Sequence, residues 1–239
     1  MRSLLLSLTV LACSSVALAS VIETGAARTT FVDSDNSLTG GSAVHNSDSD
    51  SGPTSGNWVS NLAVDSYGAG PGGFATSDHD TTIAPGAYSG TIYNYVGADP
   101  NGDIFNLPSS YASSSFTVDF TLTTAETFNI NGWVNPYRDD SGVSGDVSIT
   151  ILNMGGGGSP TQVIASASDD AYLPFDVTNS LLPGDYRLEV STVVSAQAVF
   201  IDYYITGGAD ANFNMTITPE PTSLALLALG GCVCLRRRR

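Results

Sequence analysis

The side chains of this chain that could do acid–base or metal chemistry are almost all carboxylates. The 239-residue sequence has 23 acidic residues, two histidines and no lysine. His45 lies in a Ser- and Asp-rich stretch, and His79 lies between Asp78 and Asp80. Neither histidine has the surroundings of a nucleophile–histidine pair, and the pattern favours His79 as a solvated residue of a polar loop. We therefore expect no catalytic residues and no enzyme activity.

Three Asp-rich segments place hard oxygen ligands at alternate positions, as calcium-binding loops do. They are 33–37, 48–52 and 99–103, and all three depart from the EF-hand pattern of glycine and distal glutamate. Asp, Asn and Gly also favour turns, which explains the same composition without a metal. The turn interpretation is therefore favoured, and calcium, with Asp99, Asn101 and Asp103 as its ligands, is the alternative; no other cofactor is expected.

Aromatic residues indicate a second kind of site. Trp133, Tyr137, Arg138 and Asp139 lie within seven residues of each other. Aromatic rings can stack on sugar rings while neighbouring polar groups donate hydrogen bonds. The same residues could instead fill a protein core, and the sequence leaves both interpretations open. Further candidates for glycan contact are Tyr88, Tyr93 and Tyr204.

The charge of the central part of the chain excludes some partners. Between Ser20 and Thr218 there are 22 acidic residues and three arginines, which gives a net charge of −19. Nucleic acids and anionic membrane surfaces both require positive charge at the contact. We therefore expect no nucleic-acid partner.

From about residue 110 the apolar residues recur at every second position. Phe116, Val118, Phe120 and Leu122, for example, alternate with polar residues. Strict alternation indicates β-strands with one buried face and one solvated face. Seven such strands in about 105 residues predict an all-β fold, a single-domain antiparallel β-sandwich or jelly roll.

Several local features are predicted with it. Residues 58–64 and 91–96 are strand candidates, 104–107 is a weaker one, 123–126 is a hairpin loop, and 197–206 is a strand. Residues 20–57 are rich in Ser, Asp, Gly and Asn, which is typical of long loops or of partial disorder. The sequence does not decide whether residues 20–110 form a separate subdomain.

The first nineteen residues have the features of a secretory signal peptide. Arg2 precedes an apolar stretch at 4–11, and Ala17 and Ala19 form a small-x-small cleavage site before Ser20. We therefore expect signal peptidase to cut after Ala19 and to leave a body at 20–218. A rival lipoprotein cut at Cys13 fits its motif poorly.

The last 21 residues, 219–239, combine three features. Pro219, Glu220 and Pro221 are followed by an apolar run at 224–235 and by a cluster of four arginines: Arg236, Arg237, Arg238 and Arg239. Twelve helical residues span about 18 Å, less than the roughly 30 Å of a hydrocarbon core. The arginines should stay on the cytoplasmic side. We predict a short transmembrane helix that holds the protein transiently in the inner membrane.

This ordered composite resembles the PEP-CTERM sorting signal of Gram-negative and related bacteria, over 21 of 239 residues. The resemblance implies that an exosortase, a membrane-embedded protease–transpeptidase, cuts near Pro219-Glu220-Pro221. The protein would then be released to the cell surface or the exopolysaccharide matrix. An ordinary C-terminal anchor is the alternative. The resemblance implies nothing about what the body does.

The sequence thus predicts an exported surface or matrix protein with a structural or adhesive role. Its predicted partner is extracellular polysaccharide. The first alternative is a secreted carbohydrate-binding β-sandwich module, which an exposed aromatic platform would favour. The second is a secreted hydrolase, which would need two carboxylates about 5 to 10 Å apart in a cleft.

Overall fold

The computed structural model describes residues 21–36, 44–66, 71–101, 107–155, 161–199 and 203–219. The predicted signal cleavage site at Ala17, Ala19 and Ser20 lies outside these residues, as do Asp103, the apolar tail and the four terminal arginines. Pro219 ends the last strand, whereas Glu220 and Pro221 fall outside. Within the described part of the chain, no helix is long and apolar enough to cross a membrane.

The described chain is built from β-strands. In chain order they are β1 (Val21–Asn36), β2 (Val44–Ser51), β3 (Gly56–Asp65), β4 (Gly72–Ala84), β5 (Ala87–Asp99), β6 (Ser109–Leu122), β7 (Glu126–Arg138), β8 (Val143–Asn153), β9 (Gln162–Ser168), β10 (Leu173–Leu181), β11 (Gly184–Gln197) and β12 (Ile205–Pro219).

The strands form two six-stranded sheets in which every pair is antiparallel. Sheet A has the order β2-β1-β6-β11-β8-β9, and sheet B has the order β10-β7-β12-β5-β4-β3. The two sheets pack face to face as a β-sandwich, and the buried apolar residues of both form one core. Phe116 of sheet A meets Phe213 of sheet B with ring centroids 5.0 Å apart. The predicted all-β sandwich is therefore confirmed.

The alternation read from the sequence corresponds to the two faces of each sheet. Along β6 every second residue from Ser110 to Leu122 is buried, and the residues between them are partly exposed. Side chains on successive strand positions point to opposite faces, so this pattern places the core on one side of β6. The sheet partners of β6, which are β1 and β11, were not predictable from its pattern.

Two local predictions were wrong. Residues 123–126 do not close a hairpin, because β6 belongs to sheet A and β7 to sheet B. The strand predicted at 197–206 is divided, since β11 ends at Gln197 and β12 begins at Ile205. Strand β10 was not predicted, because it is an edge strand whose mostly exposed residues give little apolar alternation.

The loops predicted for residues 20–57 are replaced by strands over most of their length. The polar strand β1 pairs with β6 from Val21 to Asp35, and β2 pairs with β1 at the edge of sheet A. Backbone pairing to a neighbouring strand thus outweighs the turn preference of its Asp, Ser and Thr residues. In sheet B, β5 pairs with β12. The N-terminal half therefore contributes strands to both sheets and is no separate subdomain.

A hydrogen-bonded group of polar side chains, which we call the inter-sheet network, crosses the core. It consists of Thr30, Ser114 and Thr192 from sheet A and Ser77 and Asn94 from sheet B, all buried. Asn94 Oδ1 accepts from Ser77 Oγ at 2.6 Å and from Ser114 Oγ at 3.0 Å. Its Nδ2 donates to Thr192 Oγ1 at 2.8 Å. The network therefore joins the two sheets at one register.

We expect Asn94→Ala to lower the free energy of unfolding by about 2 to 4 kcal/mol, because it removes the acceptor of two buried hydroxyls and the donor to a third. Urea denaturation would measure the loss. Asn212→Ala is the matched control, since Asn212 lies on the outer face and donates to Thr91 Oγ1 at 3.0 Å. Equal losses in the two variants would contradict a special role for the network.

Candidate functional site

The outward side chains of sheet B form rows that run across the strands. The antiparallel register places one residue of each strand opposite one residue of the next. One row contains only polar side chains, in the order Asp176, Asn131, Asn214, Ser89, Thr82 and Asn57. With strands about 4.8 Å apart, this row is roughly 24 Å long. Sheet B thus presents a long line of amide, hydroxyl and carboxylate groups.

The next row adds an aromatic ring to the polar groups. It contains Pro174, Trp133, Asn212, Thr91, Asp80 and Val59. Between the two rows lies a shallow hollow of about 390 Å³, lined by Asn57, Asp80, Thr82, Ser89 and Asn212 among others. A hollow of this size matches the lower range of small-ligand sites. Polar groups therefore converge here from four strands.

Three tyrosines on the same face form what we call the tyrosine cluster: Tyr93, Tyr95 and Tyr137. Tyr95 stacks on Tyr93 and on Tyr137, with centroids 6.4 Å apart in both pairs. The hydroxyls of Tyr93 and Tyr137 are 3.1 Å apart. Phe74 and Tyr204 extend the aromatic area, with Phe74 5.3 Å from Tyr95. These rings make a continuous aromatic surface beside the polar rows.

Glycines hold two of these rings flat against the sheet. Gly208 is the partner of Tyr137 across β12 and β7, and a Cβ at Gly208 would lie 2.4 Å from the Tyr137 ring. Gly97 is the partner of Phe74, and a Cβ there would also lie 2.4 Å from the ring. Rings can rest directly on the backbone only where the partner has no side chain. The two glycines therefore set the height of the aromatic surface.

A buried carboxyl group lies beneath the tyrosine cluster. Asp210 is opposite Tyr93 on β5 and Asn135 on β7, and only 5% of it is exposed. Burial raises the pKa of Asp210 to about 7, partly offset by a hydrogen bond from Asn135. Its Oδ1 has no hydrogen-bond partner among the described residues. Burial, then the hydrogen bond with Tyr93, also raises the pKa of Tyr137.

Two of the four residues in the predicted glycan-contact cluster at 133–139 lie on this face. Trp133 is half-buried, with its ring centroid 6.0 Å from that of Tyr172, and Tyr137 belongs to the tyrosine cluster. Arg138 instead pairs with Asp169 and Asp170 at 3.3 and 3.4 Å. Asp139 accepts a hydrogen bond from Thr206 Oγ1. Arg138 and Asp139 therefore make contacts within the protein.

The other aromatic candidates are also divided. Tyr88 is fully buried and packs on Phe120 with centroids 5.9 Å apart, so it belongs to the core and the prediction of glycan contact was wrong. Tyr93 and Tyr204 are 37% and 47% exposed and lie on or beside the aromatic surface. Tyr95, Phe74 and Asp210 were not predicted from the sequence. The signal that could have identified them is the alternation along each strand, which assigns every position to one of the two faces of the sheet.

The predicted calcium loops have a different structure. Residues 33–36 lie in β1, and 48–51 lie in β2, so neither segment is a loop. At the third segment, Asn101 N donates to Asp99 Oδ1 at 2.9 Å in a tight turn. Asp103 lies outside the described residues. Within the part of the chain that the structure covers, no three His, Cys, Asp or Glu residues group as metal ligands.

His79 is not a solvated loop residue, as the sequence suggested. It lies in β4, is fully buried, and faces the ring of Trp58 with centroids 4.5 Å apart. Burial, and then the positive charge of Arg28, lower the pKa of His79 to about 4. The prediction failed because His79 alternates inward, whereas its neighbours Asp78 and Asp80 point outward.

We expect the ionisation of Asp210 to lower the free energy of unfolding as the pH rises from about 4 to about 7. The folded state keeps the proton of Asp210 up to about pH 7, whereas in the unfolded chain the pKa of this carboxyl has its ordinary value of 3.8. The folded state therefore binds more protons in this window. The penalty at neutral pH is at most about 4 kcal/mol.

Urea denaturation of Asp210→Asn and of the unchanged protein across this pH range would measure the effect. The variant should gain stability relative to the unchanged protein as the pH rises. Asp78→Asn, an exposed aspartate of the same face, is the control for the loss of one negative charge. A difference between Asp210→Asn and the unchanged protein that does not vary with pH would contradict the burial of this carboxyl.

No protein-family model matches the chain, and no curated protein matches its sequence. Among solved structures, it is similar to the enzymatically active domain of tailspike protein 4 of bacteriophage CBA120, with 16% identity and a TM-score of 0.24. That match covers 52% of this chain and 18% of the phage chain. Infectious bursal disease virus, Gx strain, matches with 11% identity and a TM-score of 0.19, over 85% of this chain and 68% of that chain. At these TM-scores the likenesses carry no argument about function.

Proposed function

We propose that this chain is an exported, non-enzymatic adhesive protein of the bacterial surface or exopolysaccharide matrix. Its sandwich binds polysaccharide through the outer face of sheet B. The observation that carries the proposal is the exposed aromatic surface beside in-register rows of amide and hydroxyl groups. Sugar rings present apolar faces that stack on aromatic rings and hydroxyl edges that hydrogen-bond to polar side chains. A secreted carbohydrate-binding module, which is the alternative function, would bind its glycan through the same surface.

The dimensions of the face favour a chain of sugars over a single sugar. Trp133 and the tyrosine cluster lie on the same face, and the polar row beside them is roughly 24 Å long. A polymer can contact several such groups at once, and each weak contact then adds to one binding event. An extended face of this kind suits adhesion to a matrix.

The charge of the face favours a neutral polysaccharide. The rows contain Asp80 and Asp176. Asp78 lies opposite Tyr93. The two rows and the tyrosine cluster, as described above, contain no arginine or other cationic side chain. Acidic polymers would be repelled by these carboxylates, because like charges at a contact disfavour binding. The ligand is therefore a neutral glycan.

Binding can be tested by affinity electrophoresis in gels that contain xylan, glucomannan or dextran, with alginate as an acidic comparison. We expect retardation by at least one neutral polymer and none by alginate. Tyr93→Ala and Trp133→Ala should each weaken binding about tenfold, which corresponds to about 1.4 kcal/mol of lost stacking.

The matched control is Tyr111→Ala, since Tyr111 lies on the outer side of β6 in sheet A. This variant should bind like the unchanged protein. Failure to bind any of the neutral polymers, or equal weakening by all three substitutions, would argue against this face as the binding surface.

Export and release are part of the same proposal and rest on the two ends of the sequence. Signal peptidase cuts after Ala19, the apolar tail holds the protein transiently in the inner membrane, and exosortase cuts near Pro219-Glu220-Pro221. The acidic, lysine-free body suits a secreted protein that avoids anionic membranes.

Intact mass and fractionation from the native host would test this processing. We expect a released species that runs from Ser20 to near Pro219. With Pro219, Glu220 and Pro221 changed to alanine, the protein should stay in the membrane fraction. If the unchanged protein is membrane-bound and retains Arg236 to Arg239, the sorting proposal is wrong and the chain is tail-anchored.

A further inference from the structure

A second group of polar side chains lies inside the sandwich, at the end formed by β1, β3 and β4. We call Arg28, Ser60, His79 and Thr81 the Arg28 cluster. Their exposed fractions are 1%, 4%, 0% and 0%. In the register of sheet B, Ser60 is opposite His79 and Thr81 is opposite Trp58. The four side chains therefore occupy neighbouring inward positions, with Arg28 reaching them from sheet A.

Several polar atoms of the Arg28 cluster have no hydrogen-bond partner among the described residues. Arg28 Nη2 donates to the carbonyl oxygen of Gly56 at 2.6 Å. Its Nε and Nη1, both ring nitrogens of His79, Ser60 Oγ and Thr81 Oγ1 have no partner among the described residues. A guanidinium has only donors, and every other member of the cluster can donate as well. A single acceptor placed among them would therefore satisfy several of these groups at once.

No described carboxylate forms a salt bridge with the charge of Arg28. The other two arginines of the described chain lie nearer the surface and are paired, Arg138 with Asp169 and Asp170, and Arg187 with Asp119 at 2.7 Å. The guanidinium carbon of Arg28 lies 6.0 Å from the centroid of the Phe116 ring. A buried cation without a counter-charge is strongly destabilising. Among the arginines of the described chain, Arg28 therefore differs from the other two in having no carboxylate partner, although the chain is rich in carboxylates.

The surroundings of the cluster exclude bulk solvent. The ring of Trp58 lies on His79, and a Cβ at Gly52 would come within 2.3 Å of the Trp58 ring. Trp58 thus fits tightly between Gly52 and His79 at the edge of sheet B. A partner of the cluster must be small and must be enclosed when the sheets pack together.

We propose that the Arg28 cluster is a buried binding site for one small inorganic anion of halide size, such as chloride. The guanidinium supplies the charge, and the imidazole N–H and the two hydroxyls supply further donors. The lowered pKa of His79 fits this arrangement, because a neutral imidazole can donate one N–H while the charge remains on Arg28. The anion stabilises the folded state only, since the unfolded chain does not assemble the site.

Because such an anion binds the folded state alone, the unfolding midpoint must depend on its concentration. Thermal unfolding of the full-length protein should be measured at constant ionic strength while sodium chloride or bromide replaces sodium gluconate. We expect the midpoint to rise with the logarithm of the halide concentration. In Arg28→Met this rise should disappear, whereas Arg187→Met, which removes a surface arginine, should retain it.

Anomalous scattering from crystals grown in sodium bromide gives a direct test that needs no variant. We expect a bromide peak within hydrogen-bonding distance of Arg28 Nε or Nη1. Ordinary water density at that position, a midpoint that does not respond to halide, or a response that persists in Arg28→Met would each overturn the proposal. If Arg28→Met does not fold, the bromide crystal and the halide titration of the unchanged protein decide.

Discussion

The two sheets are joined in the core by a few buried hydrogen bonds as well as by apolar packing. Apolar contacts are tolerant of small shifts, whereas Asn94 can satisfy Ser77, Ser114 and Thr192 at one register only. A sheet that slipped by two residues would still bury apolar side chains, but it would leave these polar groups unpaired inside the core. The inter-sheet network therefore selects one arrangement of the sandwich. Every row on the outer faces depends on that choice.

The outer face of sheet B illustrates this dependence. Tyr93, Asp210 and Tyr137 come from β5, β12 and β7, which are far apart in the chain but adjacent in the sheet. Gly208 lets the Tyr137 ring lie on the backbone, and Asp210, which is opposite Tyr93, is buried on the same face. One packing arrangement accounts for the proposed glycan face and for the pH-sensitive group beneath it.

The acidic composition has different consequences on the surface and in the core. On the surface, like charge disfavours contact between the carboxylates and a polyanion, and this is why the proposed ligand is a neutral glycan. In the core, Arg28 has no described carboxylate as its ion-pair partner, and several polar atoms of its cluster have no hydrogen-bond partner among the described residues. An enclosed anion would supply an acceptor without another acidic side chain. The polysaccharide face and the anion site use different residues and can be tested separately.

The sequence by itself determined the elements that follow from local periodicity. Phe116, Val118 and Phe120 marked the buried face of one strand, and the excess of aspartate predicts that the chain has no polyanionic partner. The sorting of the chain by its two ends remains a prediction from sequence. Only the tertiary structure decided that Tyr88 is core while Tyr93 is surface, that His79 is buried, and that Asp210 lies under tyrosines. The physical reason is that alternation gives the face of a residue relative to its own strand. Neighbours across strands depend on pairing between distant segments, which packing and buried hydrogen bonds select together.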